Sequence, residues 1–262
     1  MNILQKIAVR TKERIDAKKK TVPIEKLMEM ALEGSEEYLF PFEKALKSKD
    51  ISFICEIKKA SPSKGIIVED FPYIDIAKDY EIAGAAAISV LTEPFWFGGS
   101  DTYLRKIADT VKIPLLRKDF TVDSYMIYEA KLLGASAVLL ICSLLDKDTL
   151  TEYIEIAHQL GLSALVEVHC EEEITMARSS GSRIIGVNNR NLKTFEVDIK
   201  LSERLREFVP PEIIFVSESG ISTPADIGKL REIGAHAALI GESIMKKQDK
   251  KAEISRLRGY PV

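Results

Sequence analysis

The chain has 262 residues, 46% of them hydrophobic and 29% charged, and its formal net charge is -3. This composition excludes a disordered or fibrous protein, and the slightly acidic charge gives no reason to expect nucleic acid, which binds basic surfaces. No apolar run reaches the roughly 18 residues that span a bilayer, and the amino terminus becomes charged too early for a secretory signal, so we expect a cytoplasmic protein with no membrane partner.

Residues 1–50 are predicted to form helices outside the repeating pattern that follows them. In the stretch VPIEKLMEMALEG, Pro23 suits the first turn of a helix and Gly34 suits its end. The lysine run from Lys18 to Lys20 is interpreted as a solvated helix end. We therefore predict one domain over residues 1–262, of which 1–50 is an amino-terminal helical extension. Deletion of residues 1–40 is expected to weaken substrate binding more than it unfolds the remainder.

From residue 51 onward, short apolar runs alternate with longer amphipathic segments, which is the pattern of repeated strand–helix units. The runs lie about 20 to 35 residues apart, the size of one such unit. Eight units close into a barrel of about 250 residues, so the pattern favours an α/β protein with the (β/α)8 TIM barrel fold. A doubly wound open sheet uses similar units and is the alternative. The predicted strands centre near Ile54, Ala87, Leu116, Val138, Leu165, Ile185, Ile214 and Leu239.

Several predicted helices end in a similar phrase before the next strand, such as IAGAAAISV and LLGASAVLL. The glycine in each phrase suits the left-handed position that ends a helix, and the apolar run after it suits a strand covered on both faces. These glycines are Gly84, Gly134, Gly181 and Gly234.

Charged residues close several of the strands, and a barrel of this kind has its active site at the carboxyl ends of its strands. Side chains alternate faces along a strand, so parity decides which of them point inward together. On the third strand, Lys118 shares parity with Leu116, whereas Arg117 and Asp119 point the other way. Satisfied ion pairs at the barrel mouth, or strand boundaries misplaced by a residue or two, are the alternative interpretations. The inward polar set predicted in this way is Glu56, Lys58, Lys118, Glu167, Asn188, Arg190 and Glu218.

Two further features predict how a ligand is held. The segments SESGIS and IGES follow the seventh and eighth strands, where barrels often bind phosphate with backbone N–H groups, and Gly220 and Gly241 are the candidates. The aromatic stretch LTEPFWFGGS either packs on the amino-terminal extension or supplies Phe97, which with Phe120 and Leu139 would wall a slot for an aromatic ring. The three cysteines are widely spaced and are interpreted as small buried hydrophobes rather than as disulfide or metal ligands.

The motifs EIKKASPSKG, LTEPFWFGGS, PLLRKDF, LVEVH, IGVNNRNL, SESGIS and LIGESIM resemble those of the indole-3-glycerol-phosphate synthase family, in the same order and over essentially the whole chain. The family closes the pyrrole ring of 1-(2-carboxyphenylamino)-1-deoxyribulose 5-phosphate, with release of carbon dioxide and water, in tryptophan biosynthesis. The resemblance implies a phosphorylated small-molecule substrate and no metal or organic cofactor. Other enzymes of the tryptophan pathway are the candidate protein partners.

The resemblance also implies roles for individual residues. Lys118 would be the general acid that protonates the substrate ketone, and Glu167 would serve acid/base chemistry during loss of the hydroxyl. Glu56 and Lys58 would be charged partners, while Glu218 and Asn188 would position hydroxyls. Glu242 stands where some relatives carry serine, and we expect its carboxylate to point away from the phosphate. The substrate-binding set implied is Ser61, Phe97, Phe120, Leu139, Arg190, Leu192, Ser219, Gly220, Leu239, Gly241 and Glu242.

The charges around Lys118 give one further expectation, which concerns its pKa. A buried lysine beside another lysine has its pKa lowered toward neutrality, whereas nearby glutamates oppose that shift.

Two other functions are the alternatives. Another phosphosugar barrel enzyme, such as phosphoribosylanthranilate isomerase, would share the phosphate loops but use a different acid/base set. A non-catalytic binding module would explain the loops and leave the inward lysines and glutamates unexplained.

Overall fold

The computed structural model describes residues 2–33, 39–191 and 194–259. Gly34 and Leu192, both named above, lie outside these ranges.

Eight parallel strands form a closed barrel, and the first strand pairs with both the second and the eighth. In register, Ile54 lies between Ala87 on one side and Leu239 on the other. An open sheet has two unpaired edges, so the closure confirms the predicted TIM barrel over the open alternative. The strands are β1 Ser52–Ile57, β2 Ala87–Leu91, β3 Leu115–Lys118, β4 Ala137–Ile141, β5 Ser163–Val168, β6 Ile184–Asn188, β7 Ile214–Glu218 and β8 Ala237–Ile240.

Helices precede the barrel and cover its outer face. Before β1 come α1 Ile3–Thr21, α2 Ile24–Leu32 and α3 Pro41–Leu46. The glycines Gly84, Gly134, Gly181 and Gly234 follow helix caps with φ between 67° and 86°, as predicted. The other helices are α4 Tyr73–Ile82, α5 Asp101–Ala108, α6 Tyr125–Leu132, α7 Lys147–Gln159, α8 Glu171–Ser179, α9 Lys200–Arg206, α10 Pro224–Glu232, α11 Glu242–Met245 and α12 Lys250–Arg258.

The apolar core has two layers because both faces of each strand are covered. Ile54, Leu116 and Leu165 pack in the barrel interior. Phe53 and Val166, of opposite parity, pack outward against the helices. The interior layer confirms the parity used to predict the inward polar set, since Lys118 and Glu167 lie two residues beyond Leu116 and Leu165.

Helix α3 closes the amino-terminal end of the barrel. Phe42 and Leu46 are fully buried among the interior side chains. Between them, Glu43 lies 2.7 Å from Arg183 and accepts a hydrogen bond from Ser163 at 3.3 Å, where β5 begins. Helix α3 thus fills the end of the barrel opposite to the one at which barrels of this kind bind their ligands.

Helix α1 is bound to the barrel by ion pairs, so the interpretation of Lys18 to Lys20 as a solvated helix end was wrong for two of the three. Lys18 Nζ lies 2.5 Å from carboxylates of both Asp101 and Glu129, and Lys19 lies 2.6 Å from Asp123. Asp101 lies on α5, Glu129 on α6 and Asp123 just before α6. Because these acids are far from α1 in the sequence, the sequence of α1 alone does not predict the ion pairs.

The outward residues of β3 belong to the same network. Arg117 is buried and contacts Asp101 and Glu129 at 2.8 and 2.7 Å. Asp119 lies 2.8 Å from Arg14 of α1. The two residues that flank Lys118 are therefore fixed from outside the barrel.

A short antiparallel hairpin that the sequence did not predict, 60–61 with 65–66, follows β1 beside the carboxyl end of the barrel. Within the three described ranges, no helix has the length and apolarity needed to cross a membrane.

Candidate active site

A cavity of about 670 Å³ opens at the carboxyl ends of the barrel strands. It is bordered by all the described residues that were predicted for the site. The predicted catalytic residues are Lys118, Glu167, Glu56, Lys58, Glu218 and Asn188, and the predicted substrate-binding residues are Ser61, Phe97, Phe120, Leu139, Arg190, Ser219, Gly220, Leu239, Gly241 and Glu242. Leu192 lies outside the described ranges.

Lys118 is at the centre of the charged residues in this cavity. Its Nζ lies 3.4 Å from Glu167 Oε2 and 3.6 Å from Glu218 Oε2. Glu56 pairs with Lys58 along β1 and just beyond its end. All three glutamates are buried, so the ammonium groups compensate charges that water cannot reach.

The surroundings of Lys118 overturn the expected direction of its pKa. Burial disfavours the ammonium, but the carboxylates of Glu167, Glu218 and Glu56 outweigh that effect and raise the pKa of Lys118 above its ordinary value. The sequence analysis expected the neighbouring lysine to lower it. Lys58 instead forms an ion pair with Glu56, and the three carboxylates decide the direction.

Glu56 and Glu218 have opposite electrostatics although both are buried. For Glu56, burial opposes ionisation, yet Lys58 and Lys118 outweigh it and lower the pKa of the carboxyl. For Glu218, burial dominates over the attraction of Lys118, and the pKa rises to about 7. One carboxylate therefore stays ionised, while the other can carry a proton near neutral pH, which is the separation that acid/base chemistry uses.

Gly186 and Gly241 have no side chains, and this makes room for the carboxylates of Glu218 and Glu56. A Cβ at Gly186 on β6 would lie 2.2 Å from Glu218 Oε1 and 3.0 Å from a methyl group of Leu165. A Cβ at Gly241 would lie 2.7 Å from Glu56 Oε1 and 3.3 Å from Lys58 Nζ. Gly186 was not predicted, although a glycine inside a strand is a signal of close approach. Gly241 was predicted for phosphate, and it also makes room for the pair on β1.

An apolar wall stands opposite the charges. The rings of Phe97 and Phe120 are 5.8 Å apart between centroids and tilted by 39°, and Leu139 and Leu239 border the same cavity. The loop carrying Phe97 is held by the buried Glu93, whose carboxylate accepts three backbone N–H bonds at 2.7 to 3.0 Å. Phe95 of this aromatic stretch packs on the amino-terminal extension, because Arg10 of α1 stacks over it. The role of Phe97 in binding an aromatic ring stays a prediction.

The loops after β7 and β8 form the other end of the cavity. Ser219 and Gly220 both have positive φ, 66° and 83°, and a Cβ at Gly220 would meet Val197 at 2.5 Å. Glu242 begins α11, and its carboxylate accepts a hydrogen bond from Lys246 at 2.6 Å. That bond directs the carboxylate along its own helix.

The sequence analysis missed a group of lining residues from the first helix. Ile3, Leu4 and Ile7 of α1 border the cavity, and Leu4 and Ile7 are buried there. Their spacing in the sequence is that of an ordinary amphipathic helix, so only the position of α1 across the barrel mouth identifies them. Lys246 and Arg256 also border the cavity, each paired with a glutamate, and Arg256 donates a hydrogen bond to the Ser222 carbonyl in the loop after β7.

The residue types that commonly bind metal ions are not clustered among the described residues. Cys55 and Cys142 are buried, as expected, and burial raises the pKa of Cys55 to about 12. Cys170 was also expected to be buried, but it lies just before α8 and is only partly buried. Among the side chains that the structure describes, no three His, Cys, Asp or Glu are grouped so that they could hold a metal ion.

Comparison with known proteins gives one consistent result. The sequence profile of the family described as indole-3-glycerol phosphate synthase matches residues 4–257. A protein of that name from Ruminiclostridium cellulolyticum is 62% identical over 98% of this chain and 99% of its own length. Another, from Lachnoclostridium phytofermentans, is 51% identical over 98% of both chains. The solved 3-hexulose-6-phosphate synthase from Salmonella typhimurium shares the fold, with a TM-score of 0.66 and 11% identity over 80% of this chain and 97% of that one.

Proposed function

The chain belongs to the indole-3-glycerol phosphate synthase family, and we propose that the charged cavity of its barrel carries out that family's ring closure with Lys118 as the general acid. The substrate is 1-(2-carboxyphenylamino)-1-deoxyribulose 5-phosphate, and the products are indole-3-glycerol phosphate, carbon dioxide and water. The family match favours this carboxy-lyase activity over the isomerase and the binding module.

One observation supports the assignment of the acid. Lys118 is a lysine with carboxylates 3.4 and 3.6 Å from its Nζ, at the border of an open cavity. A lysine kept protonated in this way can donate to an oxygen that gains charge, and a positioned acid of this kind typically contributes about 100- to 10,000-fold. Tight pairing without access to a ligand would instead favour a purely structural role.

The reaction has three steps, which are ring closure, loss of carbon dioxide and loss of water. The ring carbon that bears the carboxylate attacks the ketone carbon, and the ketone oxygen takes a proton from Lys118 as it becomes a hydroxyl. Carbon dioxide then leaves and restores the benzene ring. Glu167 takes a proton from the methylene carbon beside the nitrogen and passes it to the departing hydroxyl, which leaves as water. The electrons of the broken C–H bond form the carbon–carbon double bond that completes the pyrrole ring. Glu56 and Lys58 maintain the local charge balance, and Glu218 and Asn188 hold the substrate hydroxyls.

The two ends of the cavity suit the two ends of this substrate. The carboxyphenyl ring would lie against Phe97 and Phe120, with Leu139 and Leu239 beside them. The phosphate would accept N–H bonds from the loop at Ser219 and Gly220, with Gly241, Arg190 and Ser61 near it. Glu242 would contribute its backbone rather than its carboxylate, because Lys246 holds that carboxylate.

The proposal extends to context in the cell. We place this chain in the cytoplasm, as one catalytic domain over residues 1–262, because its family serves a biosynthetic pathway. Other enzymes of tryptophan biosynthesis are its candidate partners.

The test is the growth of indole fluorescence after purified protein is mixed with the substrate in the presence of a chelator. Lys118→Met is compared with Lys106→Met, a matched change at an exposed lysine of α5. We expect turnover by the wild type, a loss of about 100-fold or more in Lys118→Met, and no loss in Lys106→Met. Turnover in chelator would also agree with the expectation that no metal is needed.

Three results would change the proposal. Turnover that survives in Lys118→Met would keep the activity and remove the assigned acid. Binding by calorimetry without turnover would support the binding module. Isomerisation of N-(5-phosphoribosyl)anthranilate without ring closure would support the isomerase.

A further inference from the structure

His169 lies just beyond the end of β5, behind Glu167. Its Nε2 is 3.5 Å from Glu167 Oε1, and its Nδ1 is 3.2 Å from Glu173 Oε2. The same oxygen of Glu173 accepts the backbone N–H of His169 at 2.6 Å. Helix α8 thus fixes both the backbone and the ring of His169, with Nε2 facing the buried carboxylate of Glu167.

The Nε2 atom has no hydrogen-bond partner among the described residues, although it is buried. Buried polar atoms are nearly always paired, so an unpaired one in a fixed ring needs a reason. The oxygen it faces is separated from it by slightly more than an ordinary hydrogen bond. A shift of a few tenths of an ångström would complete a bond between Nε2 and Glu167.

We propose that His169 is a positioning residue, which holds Glu167 in place when Lys118 leaves Glu167 for the substrate. This inference rests on the proposed function. The ring is not part of the cavity border, so it does not touch the reacting atoms.

The two oxygens of Glu167 have different partners. Lys118 lies 3.4 Å from Oε2, and His169 lies 3.5 Å from Oε1. When Lys118 gives its proton to the ketone oxygen, Glu167 loses its nearest cation while Glu218 remains close by. A buried carboxylate that has neither a cation nor a hydrogen bond is unfavourable in free energy, so it moves toward another partner or toward water. His169 supplies the second contact that keeps Glu167 aligned for the loss of the hydroxyl.

The geometry favours the protonated ring. Both ring nitrogens face carboxylate oxygens, and a neutral imidazole can donate from only one of them. The groups that face the ring are Glu173 on α8, Glu167 on β5 and Glu218 on β7, while the thiol of Cys142 lies against the Glu173 backbone. Burial disfavours the imidazolium, but these carboxylates outweigh it and raise the pKa of His169.

The experiment measures kcat and KM against pH for His169→Phe and His169→Gln. Phenylalanine fills the space without a donor, and we expect kcat to fall about 10- to 100-fold, the effect of one lost charge-assisted bond, with KM changed much less. The acidic limb of kcat should move to higher pH, because a carboxylate that loses a cation takes up its proton more readily. Glutamine keeps an N–H donor and should restore part of kcat.

The matched control is His158→Phe. His158 is a partly buried histidine near the opposite end of the barrel, where it packs edge-on against Phe40. This variant should keep the wild-type kcat and pH profile. An equal loss in His158→Phe and His169→Phe, or an unshifted profile with no rescue by glutamine, would overturn the positioning role.

A second measurement does not depend on turnover. Imidazole ¹⁵N signals of the ligand-free wild type should show both nitrogens of His169 protonated at neutral pH. A neutral ring with an unprotonated Nε2 would overturn the inference even if His169→Phe cannot be folded. Failure of the wild type to convert the substrate would instead overturn the proposed function and leave the ¹⁵N result to be judged by itself.

Discussion

Replacing Gly186 with alanine tests whether the position of the Glu218 carboxylate limits the reaction. The added Cβ would lie 2.2 Å from Glu218 Oε1, where an ordinary contact begins at 3.4 Å. The neighbouring methyl group of Leu165 is at 3.0 Å, so the carboxylate has to yield more than the leucine does. Glu218 would move by roughly 1 Å, away from its place 3.6 Å from Lys118.

The size of the effect follows from that displacement. A misplacement of about 1 Å in an active site can cost about 100-fold, which we expect in kcat for Gly186→Ala. Overpacking of a well-packed interior costs about 1 to 3 kcal/mol, so the variant should still fold in a domain of ordinary stability. The loss of activity should therefore exceed what unfolding can explain.

The assay pairs indole fluorescence kinetics with urea unfolding, and Gly228→Ala is the matched control. Gly228 lies within α10, and a Cβ there would have no neighbour within 4 Å. That change should leave kcat unaltered and raise the free energy of unfolding by about 0.5 to 1 kcal/mol, as alanine does in a helix interior.

A double-mutant cycle with Glu218→Ala decides the cause. If the displaced carboxylate is responsible, Gly186→Ala will cost much less in the Glu218→Ala background, since no carboxylate remains to be displaced. An equal loss of kcat in both backgrounds, or full activity in the single variant, would refute the reasoning.

Two other predictions concern stability and the first helix. Glu218 ionises near 4.5 when unfolded but has a pKa of about 7 when folded, so its ionisation costs stability as pH rises through that window. Urea titrations should show Glu218→Gln gaining up to about 3 kcal/mol on the wild type between about pH 5 and pH 8, and an unchanged difference would contradict this. Lys18→Met loses the two ion pairs that Lys18 makes, whereas those of Arg14 and Lys19 remain. It should raise KM several-fold at a cost of about 1 kcal/mol, unlike the exposed Lys12→Met; equal KM values in the two variants would exclude these Lys18 contacts as a determinant of binding.

The part of the site that can be predicted from the sequence is the part fixed by strand parity. Once Leu116 and Leu165 are assigned to the interior, Lys118 and Glu167 must follow them two residues later, at the end where a barrel binds its ligand. Gly84, Gly134, Gly181 and Gly234 each mark where a following strand begins, which limits errors of register at those four points. The closed barrel then brings distant strands together.

The missed features depend on distances between elements. Lys18 was interpreted as solvated because Asp101 and Glu129 are far away in sequence, and only the folding of α1 against α5 and α6 unites them. Gly186 is conspicuous within its strand, but its importance depends on a carboxylate from the next strand. The direction of the Lys118 pKa depends on whether three carboxylates from β1, β5 and β7 outweigh burial, and the sequence pattern does not give that balance.

The raised pKa of Lys118 is compatible with its proposed role as an acid, although a lysine with a lower pKa would donate its proton more readily. Glu167 and Glu218 keep the ammonium charged throughout the physiological pH range, so the acid form is always present when substrate arrives. The same carboxylates reduce the driving force for donation, and efficient transfer requires that this opposition weaken in the complex. Protonation of Glu218, whose pKa is about 7, is one way to weaken it. Movement of Lys118 away from Glu167 is the other, and it is the step at which Glu167 most needs a second cation.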